Sequence, residues 1–204
     1  AKAEETTAWI QTETGNEAVD YLLADFADLA QVRALASAYK NQFERLDVLV
    51  NNAGAFFNAR QVTSYGVEKT FLVNHLAPFL LTNLLLEPLR NSAPARIINV
   101  SSVNGQKGQF GQANYSAAKA GLHGFTMAVA QETAAKGVTV NTVSPGYIET
   151  AMTSAMPEQV LDAIISAVPM GRMGKPQEIA MTVAWLADEH NAYITGANIP
   201  VNGG

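Results

Sequence analysis

The sequence predicts an open, doubly wound parallel α/β sheet, and three observations carry that prediction. Short apolar runs rich in β-branched residues recur along the chain, each followed by a small-residue turn and then a longer stretch with helical spacing. Two of those runs, Val48-Leu49-Val50 and Ile97-Ile98, are continuously apolar, as burial on both faces of a parallel sheet requires. The chain has 204 residues, 48% hydrophobic and 15% charged, enough for one well-buried core and too short for two comfortable domains. Residues 1–204 are therefore read as a single domain in which helices connect parallel strands.

In chain order, a helix is expected over residues 3–13, a strand over 19–24, a helix over 28–43 and a strand over 46–51. A long helix over 63–90 then leads to a strand over 96–101, a helix over 112–136 and a strand over 138–144. Helices over 157–167 and 176–187 follow; Pro157 and Pro176 stand where a first helical turn tolerates proline. A strand over 198–201 closes the pattern, and the segment 149–175 is the one candidate for a lid over a site.

Composition narrows the function. A net charge of -5, with no Lys/Arg-rich run, offers nothing to a phosphate backbone, so no nucleic-acid partner is expected. The absence of cysteine excludes disulfides and thiolate metal sites and suits a cytoplasmic protein. No uninterrupted apolar stretch reaches bilayer length, and the first residues lack the basic-then-apolar order of a signal peptide, so no membrane partner is expected. His75, His123 and His190 are scattered without metal-ligand spacing, and are read as structural. Trp9 and Trp185 are read as packing residues, and Ala187-Asp188-Glu189 as a solvated helix end.

In such a sheet, ligands bind beyond the carboxyl ends of the strands. Three turns there are unusual: Asn52-Ala53-Gly54, Ser101-Ser102 and Ser144-Pro145-Gly146. Their small residues permit close backbone approach to a flat ligand, and their hydroxyls converge on one rim. Downstream, Tyr115 and Lys119 stand at i and i+4 of an expected helix and so share a face. A tyrosine ordinarily titrates near ~10, and a neighbouring cation favours the phenolate, which makes the pair a candidate general acid/base. Taken alone, such a pair is far more often a tyrosine packed over an exposed lysine.

Together with Asn74, these residues resemble one family, the short-chain dehydrogenases/reductases. The resemblance runs through Asn51-Asn52-Ala53-Gly54, Asn74, Ser102, Tyr115-x-x-x-Lys119 and Pro145-Gly146, in order and spacing, and extends to the closing Val201-Asn202-Gly203-Gly204. It implies a Rossmann-like fold, a bound NADP (NAD being possible), and hydride transfer between the nicotinamide and a carbonyl carbon. Tyr115 would give the proton to the developing alkoxide and Ser102 would hydrogen-bond the same oxygen. Lys119 would hold the nicotinamide ribose and lower the Tyr115 pKa, while Asn74 would position a helix kink and a water in the proton relay. By the same resemblance Asp25 would meet the adenine amine, Asn51, Ala53 and Gly54 would lie along the adenosine, and Pro145, Gly146 and Thr150 would reach the nicotinamide side.

A narrower likeness lies in Asn104-Gly-Gln-Lys-Gly-Gln-Phe-Gly-Gln112 and Ser144-Pro145-Gly146-Tyr147, which are similar to the acetoacetyl-CoA reductases and the 3-oxoacyl carrier-protein reductases. There Gln109, Phe110, Gln112 and Tyr147 would touch the acyl thioester. The half before Ser101, through 51–57 and 73–79, looks more like the retinol-dehydrogenase-like branch. The family's first β-α-β unit, with its Gly-x-x-x-Gly-x-Gly turn, is missing from this chain, which leaves the expectation of an unpaired, apolar sheet edge. Gly105, Gly108 and Gly111 lack dinucleotide-fingerprint spacing and are read as a substrate loop. Gly121 and Gly124 lie inside a helix, where glycine is unfavourable unless something packs closely against it. Family members pair this helix and the 63–90 helix across a subunit interface, which implies a homodimer or homotetramer.

Three functions follow for test. The first is an NAD(P)H-dependent reductase of a 3-oxoacyl thioester such as acetoacetyl-CoA; the second is a general carbonyl reductase or alcohol dehydrogenase of the same family. The third is a catalytically silent dinucleotide sensor, against which the presence of all four of Asn74, Ser102, Tyr115 and Lys119 argues.

Overall fold

The computed structural model describes residues 2–150, 153 and 157–204. Its elements are α1 (Lys2–Thr14), α2 (Leu29–Gln42), β1 (Val48–Asn51), α3 (Lys69–Phe71), a π-helical turn (Leu72–Leu76) and α4 (Ala77–Asn91). These are followed by β2 (Ala95–Val100), α5 (Asn104–Lys107), α6 (Ala113–Thr133), β3 (Val138–Pro145), α7 (Glu158–Ala167), α8 (Pro176–Ala187) and β4 (Asn198–Val201). Among the described residues the strands form one parallel sheet in the order β1-β2-β3-β4, each linked to the next through helix, as the alternating pattern requires.

Period-two alternation along β2 sends Ile97 to one face and Ile98 to the other. On the first face Ile97 packs with Leu89, Val129, Val138 and Val140, and Val32, Ala36, Leu81 and Leu85 seal α2 against α4. On the second face Ile98 and Val143 meet Leu186 of α8, with Ile179 and Val183 beside them. Helices thus cover both faces, which is why these strands read as continuous apolar runs.

A polar ladder crosses the first face. Asn51, Asn99 and Thr142 are register neighbours on β1, β2 and β3. Asn51 Nδ2 donates to Thr82 Oγ1 and to Asn99 Oδ1, both at 2.9 Å. Asn99 Nδ2 donates to Thr126 Oγ1 at 2.8 Å, and Thr126 and Thr142 share a hydroxyl hydrogen bond of 2.6 Å. All five residues are buried, and each amide or hydroxyl in the run finds a partner, which is the condition for keeping polar groups in a core.

Three expectations are corrected. Residues 19–24 form no strand, because their backbone joins no ladder: Tyr21 N–H bonds the Asp20 carboxylate, the Val19 carbonyl takes the Gln11 amide, and Leu23 stands exposed. The 63–90 helix begins only at Lys69, since Thr63 and Gly66 close a turn bridged by Val62 and Glu68, and the Glu68 carboxylate then caps Thr70 and Phe71 N–H. The stretch Lys69–Asn91 is long and apolar enough for a membrane span by length and mean composition, although polar residues interrupt it as the sequence reading has it, and Leu72, Val73, Ala77, Leu81, Leu85 and Leu89 bury it in the core. Trp9 and Trp185, both read as packing, are exposed on α1 and α8. Among the described residues β1 pairs only with β2, and Val50 on it is exposed. Of the lid candidate 149–175, residues 151, 152 and 154–156 lie outside the described residues.

Candidate active site

The carboxyl ends of β1, β2 and β3 deliver Asn52–Ala55, Ser101–Asn104 and Pro145–Thr150 to one rim. The π turn and the first two turns of α6 add Asn74, Tyr115 and Lys119. Together they line a cavity of about 690 Å³ that also takes in Phe56, Gln112, Tyr147 and Ile148.

Tyr115 projects from α6 between two neighbours. The Phe56 ring meets it edge-on at 6.0 Å, and the Lys119 ammonium lies 5.8 Å from its ring centroid. Burial pushes the Tyr115 phenol above its ordinary value, and a side-chain hydrogen bond with Ser102 draws it partly back. Lys119 is buried, and its Nζ donates to the Val100 carbonyl at 2.8 Å. Desolvation lowers its pKa to about 8. Lys119, expected to depress the Tyr115 pKa, is not among the causes that shift it; desolvation dominates for both groups, and the phenol stands beside a cation that has little water around it.

Asn74 holds this arrangement from the other side. Its Nδ2 donates to the Ala55 carbonyl at 2.6 Å and to the Thr70 carbonyl at 2.7 Å, and its Oδ1 accepts from Ala55 N–H at 3.2 Å. The π-helical turn, in which Ala77 N–H reaches back five residues to the Leu72 carbonyl, carries the buried Asn74 side chain at its centre. The kink expected at Asn74 is thus a π turn, and the side chain clamps the Asn52–Ala55 loop to it. Gly54 has no room for a side chain there: a Cβ would fall 2.6 Å from Asn74 Oδ1 and 3.3 Å from Lys119 Nζ.

Of the residues singled out in the sequence, Gly54, Asn74, Ser102, Gln112, Tyr115, Lys119, Pro145, Gly146, Tyr147 and Thr150 all line this one cavity. Others stand elsewhere. The Asn51 side chain turns inward to the polar ladder, and Ala53 lies on the rim outside the lining. Asp25 is exposed, spending one carboxylate oxygen on Ala27 N–H. Gln109 lines an adjoining cleft with Lys107 and Tyr147, and Phe110 stands fully in solvent. Sequence reasoning missed Phe56 and Asn104. Phe56 follows the Asn-Asn-Ala-Gly turn by two residues, and Asn104 Nδ2 bonds Gln112 Oε1 at 2.9 Å across the glycine-bearing loop.

The donor set suits a nicotinamide ribose. One Lys119 N–H is engaged by Val100, leaving two to share with the Tyr115 hydroxyl in a cavity whose wall at Gly54 carries no side chain. A vicinal diol needs such paired donors, and a flat ring needs such a bare wall. Among the described residues no cluster of side chains suits a metal ion.

Known proteins resemble this chain along most of its length. The family model described as enoyl-(acyl carrier protein) reductase matches residues 1–204. The acetoacetyl-CoA reductase of Allochromatium vinosum is 50% identical over 183 residues, covering 89% of this chain and 74% of its own. That of Cupriavidus necator is 47% identical over 180 residues, covering 87% and 73%. The 3-oxoacyl-[acyl-carrier-protein] reductase FabG of Vibrio cholerae is 45% identical over 175 residues, covering 85% and 72%. Among solved structures, the Pseudomonas aeruginosa RhlG/NADP active-site complex superposes with a TM-score of 0.86 at 34% identity, covering 99% of this chain and 82% of that one.

Proposed function

This chain is an oxidoreductase of the short-chain dehydrogenase/reductase family, and from that membership we propose that it reduces a 3-oxoacyl thioester such as acetoacetyl-CoA with NADPH. The observation that carries the reading is the convergence of the Ser102 and Tyr115 hydroxyls beside the buried Lys119 ammonium in one cavity. The acetoacetyl-CoA reductases at 47% and 50% identity support the substrate, and the NADP complex supports the coenzyme.

NADPH, when bound, supplies the hydride. Lys119 and Tyr115 would hold its nicotinamide ribose, Gly54 would lie along the adenosine, and Pro145, Gly146 and Thr150 would stand on the nicotinamide side, all of them lining the one cavity. Asp25 would meet the adenine amine, and Asn51 and Ala53 would lie along the adenosine, although none of the three lines the cavity. As negative charge builds on the substrate carbonyl oxygen, Tyr115 donates its proton and Ser102 a hydrogen bond, both aimed at that one atom. The raised pKa of Tyr115 keeps the phenol protonated at neutral pH, the state that reduction needs. Lys119 then offsets the charge left on the phenolate, and Asn74 keeps the loop in place while this happens.

Gln112 and Tyr147, inside the cavity, orient the thioester end, with Gln109 in the adjoining cleft. Phe110 takes part only at the outer loop. The reading includes a cytoplasmic homodimer or homotetramer, supported by exposed Phe79 on α4 and Met127 beside Gly124 on α6. The test follows nicotinamide absorbance with acetoacetyl-CoA or a simple ketone as substrate. Faster NADPH oxidation with the thioester is expected; reduction of the ketone alone overturns the substrate, and NADPH binding without any turnover overturns the enzyme.

A further inference from the structure

The distance between the Asn74 turn and the helix bearing Tyr115 and Lys119 decides whether the cavity is assembled, and something must set it. His75 follows Asn74 in the π turn, and its imidazole lies against Gly121 of α6. A Cβ on Gly121 would meet His75 Cε1 at 2.7 Å, Nδ1 at 2.8 Å and Nε2 at 3.3 Å. The ring also meets the Ala118 carbonyl, one residue before Lys119, and is flanked by the Phe71 ring at 5.2 Å. His75 Nδ1 is buried with no hydrogen-bond partner. A titratable ring held in that state fills a gap whose other wall has been reduced to hydrogen, at a helix position where glycine is otherwise disfavoured relative to alanine.

We propose that His75 is a positioning residue, the spacer that fixes the separation of Asn74 from Tyr115 and Lys119, with Gly121 as the surface it rests on. The proposal rests on the catalytic reading of those three residues. Gly124, three residues further along α6, has nothing within 4 Å of where its Cβ would be, so Gly121 is singled out by the ring and not by a general need for small residues in this helix. Burial holds the His75 pKa below its ordinary value, so the ring fills this gap uncharged. A displacement of about 1 Å in this region is enough to lower turnover roughly a hundredfold.

The experiment is a cycle of His75→Ala, Gly121→Ala and the double variant, with His75→Gln as the conservative replacement that retains an N–H for the Ala118 carbonyl. Steady-state kcat and KM, NADPH affinity by nicotinamide fluorescence, and thermal midpoints are read for each. Each single alanine variant should lower kcat about tenfold or more while NADPH affinity stays within about twofold. The double variant should be no slower than His75→Ala alone, because the new methyl then has no ring to displace, and His75→Gln should recover most of the loss. An unchanged kcat in His75→Ala, losses that multiply in the double variant, or parallel collapse of NADPH affinity and thermal midpoint each overturn the proposal. Tyr115→Phe is run beside them: if that variant keeps full turnover, the catalytic reading itself falls, whatever the His75 series shows.

Discussion

Gly54 and Asn74 are in contact through an absent side chain: a Cβ on Gly54 would stand 2.6 Å from the Asn74 amide oxygen that accepts from Ala55 N–H. The loop and the π turn are therefore matched surfaces, and the fit leaves the Lys119 ammonium just behind them.

Gly54→Ala should break that match. Backbone strain is not the cause, since Gly54 has no positive φ; the methyl displaces Asn74 from Ala55 instead. Turnover should fall about a hundredfold with the thermal midpoint lowered by only a few degrees, as steady-state NADPH oxidation and circular dichroism would show. Full activity would mean that Asn74 has room to move without consequence.

Tyr115→Phe removes the proton donor and keeps the ring that Phe56 packs against. The kcat should drop by about 10²–10⁴, the ordinary worth of a positioned acid, while NADPH affinity, measured by fluorescence titration, remains within about tenfold through Lys119. Equal loss of both would place Tyr115 in binding rather than in proton transfer.

The Lys119 ammonium, lowered by desolvation from 10.5 to about 8, gives a pH signature. Reductive turnover should decline as pH rises through about 8, because the cation that offsets the phenolate is lost. Stability moves the other way. The folded pKa lies below the unfolded one, so between about 8 and 10.5 the unfolded chain binds more protons and this group's contribution to stability rises with pH. Urea titrations at pH 7.5 and 9.0 should show that gain in the native protein, and Lys119→Met should lack it.

Asn99→Ala strips the polar ladder of its middle rung. Thr126 loses the amide donor and Asn51 loses an acceptor, both in the core, so unfolding free energy should fall by about 1–3 kcal/mol for each group stranded. Urea unfolding measures this; a loss under about 0.5 kcal/mol would show that water or rearrangement replaces the missing amide.

Much of this was legible in the sequence because it rests on local pattern. The runs at Val48-Leu49-Val50 and Ile97-Ile98 announce strands buried on both faces, and Tyr115 and Lys119 share a helical face by spacing alone. What failed depended on partners that apolar spacing does not reveal. Residues 19–24 have strand-like composition, but a strand exists only through its neighbour, which no local pattern encodes. Asn51 is expected along the adenosine by its place in Asn51-Asn52-Ala53-Gly54, and only the register with Asn99 shows its side chain turned inward. The desolvation that raises Tyr115 and lowers Lys119 is a property of the assembled cavity, not of either side chain. His75 could have been noticed as the neighbour of Asn74, yet its contact with Gly121 spans two helices.

The ladder from Thr82 through Asn51, Asn99 and Thr126 to Thr142 has a consequence for how this sequence can change. Any one apolar replacement strands a neighbour's donor or acceptor, so the five positions are tied to one another's ancestry. Drift at one must wait for, or promptly recruit, a compensating change at the next, whereas Ile97 or Val140 nearby can exchange methyl groups singly. Because the ladder joins α4 and α6 to the ends of three strands, the part of the fold that carries the chemistry is also the part least free to wander.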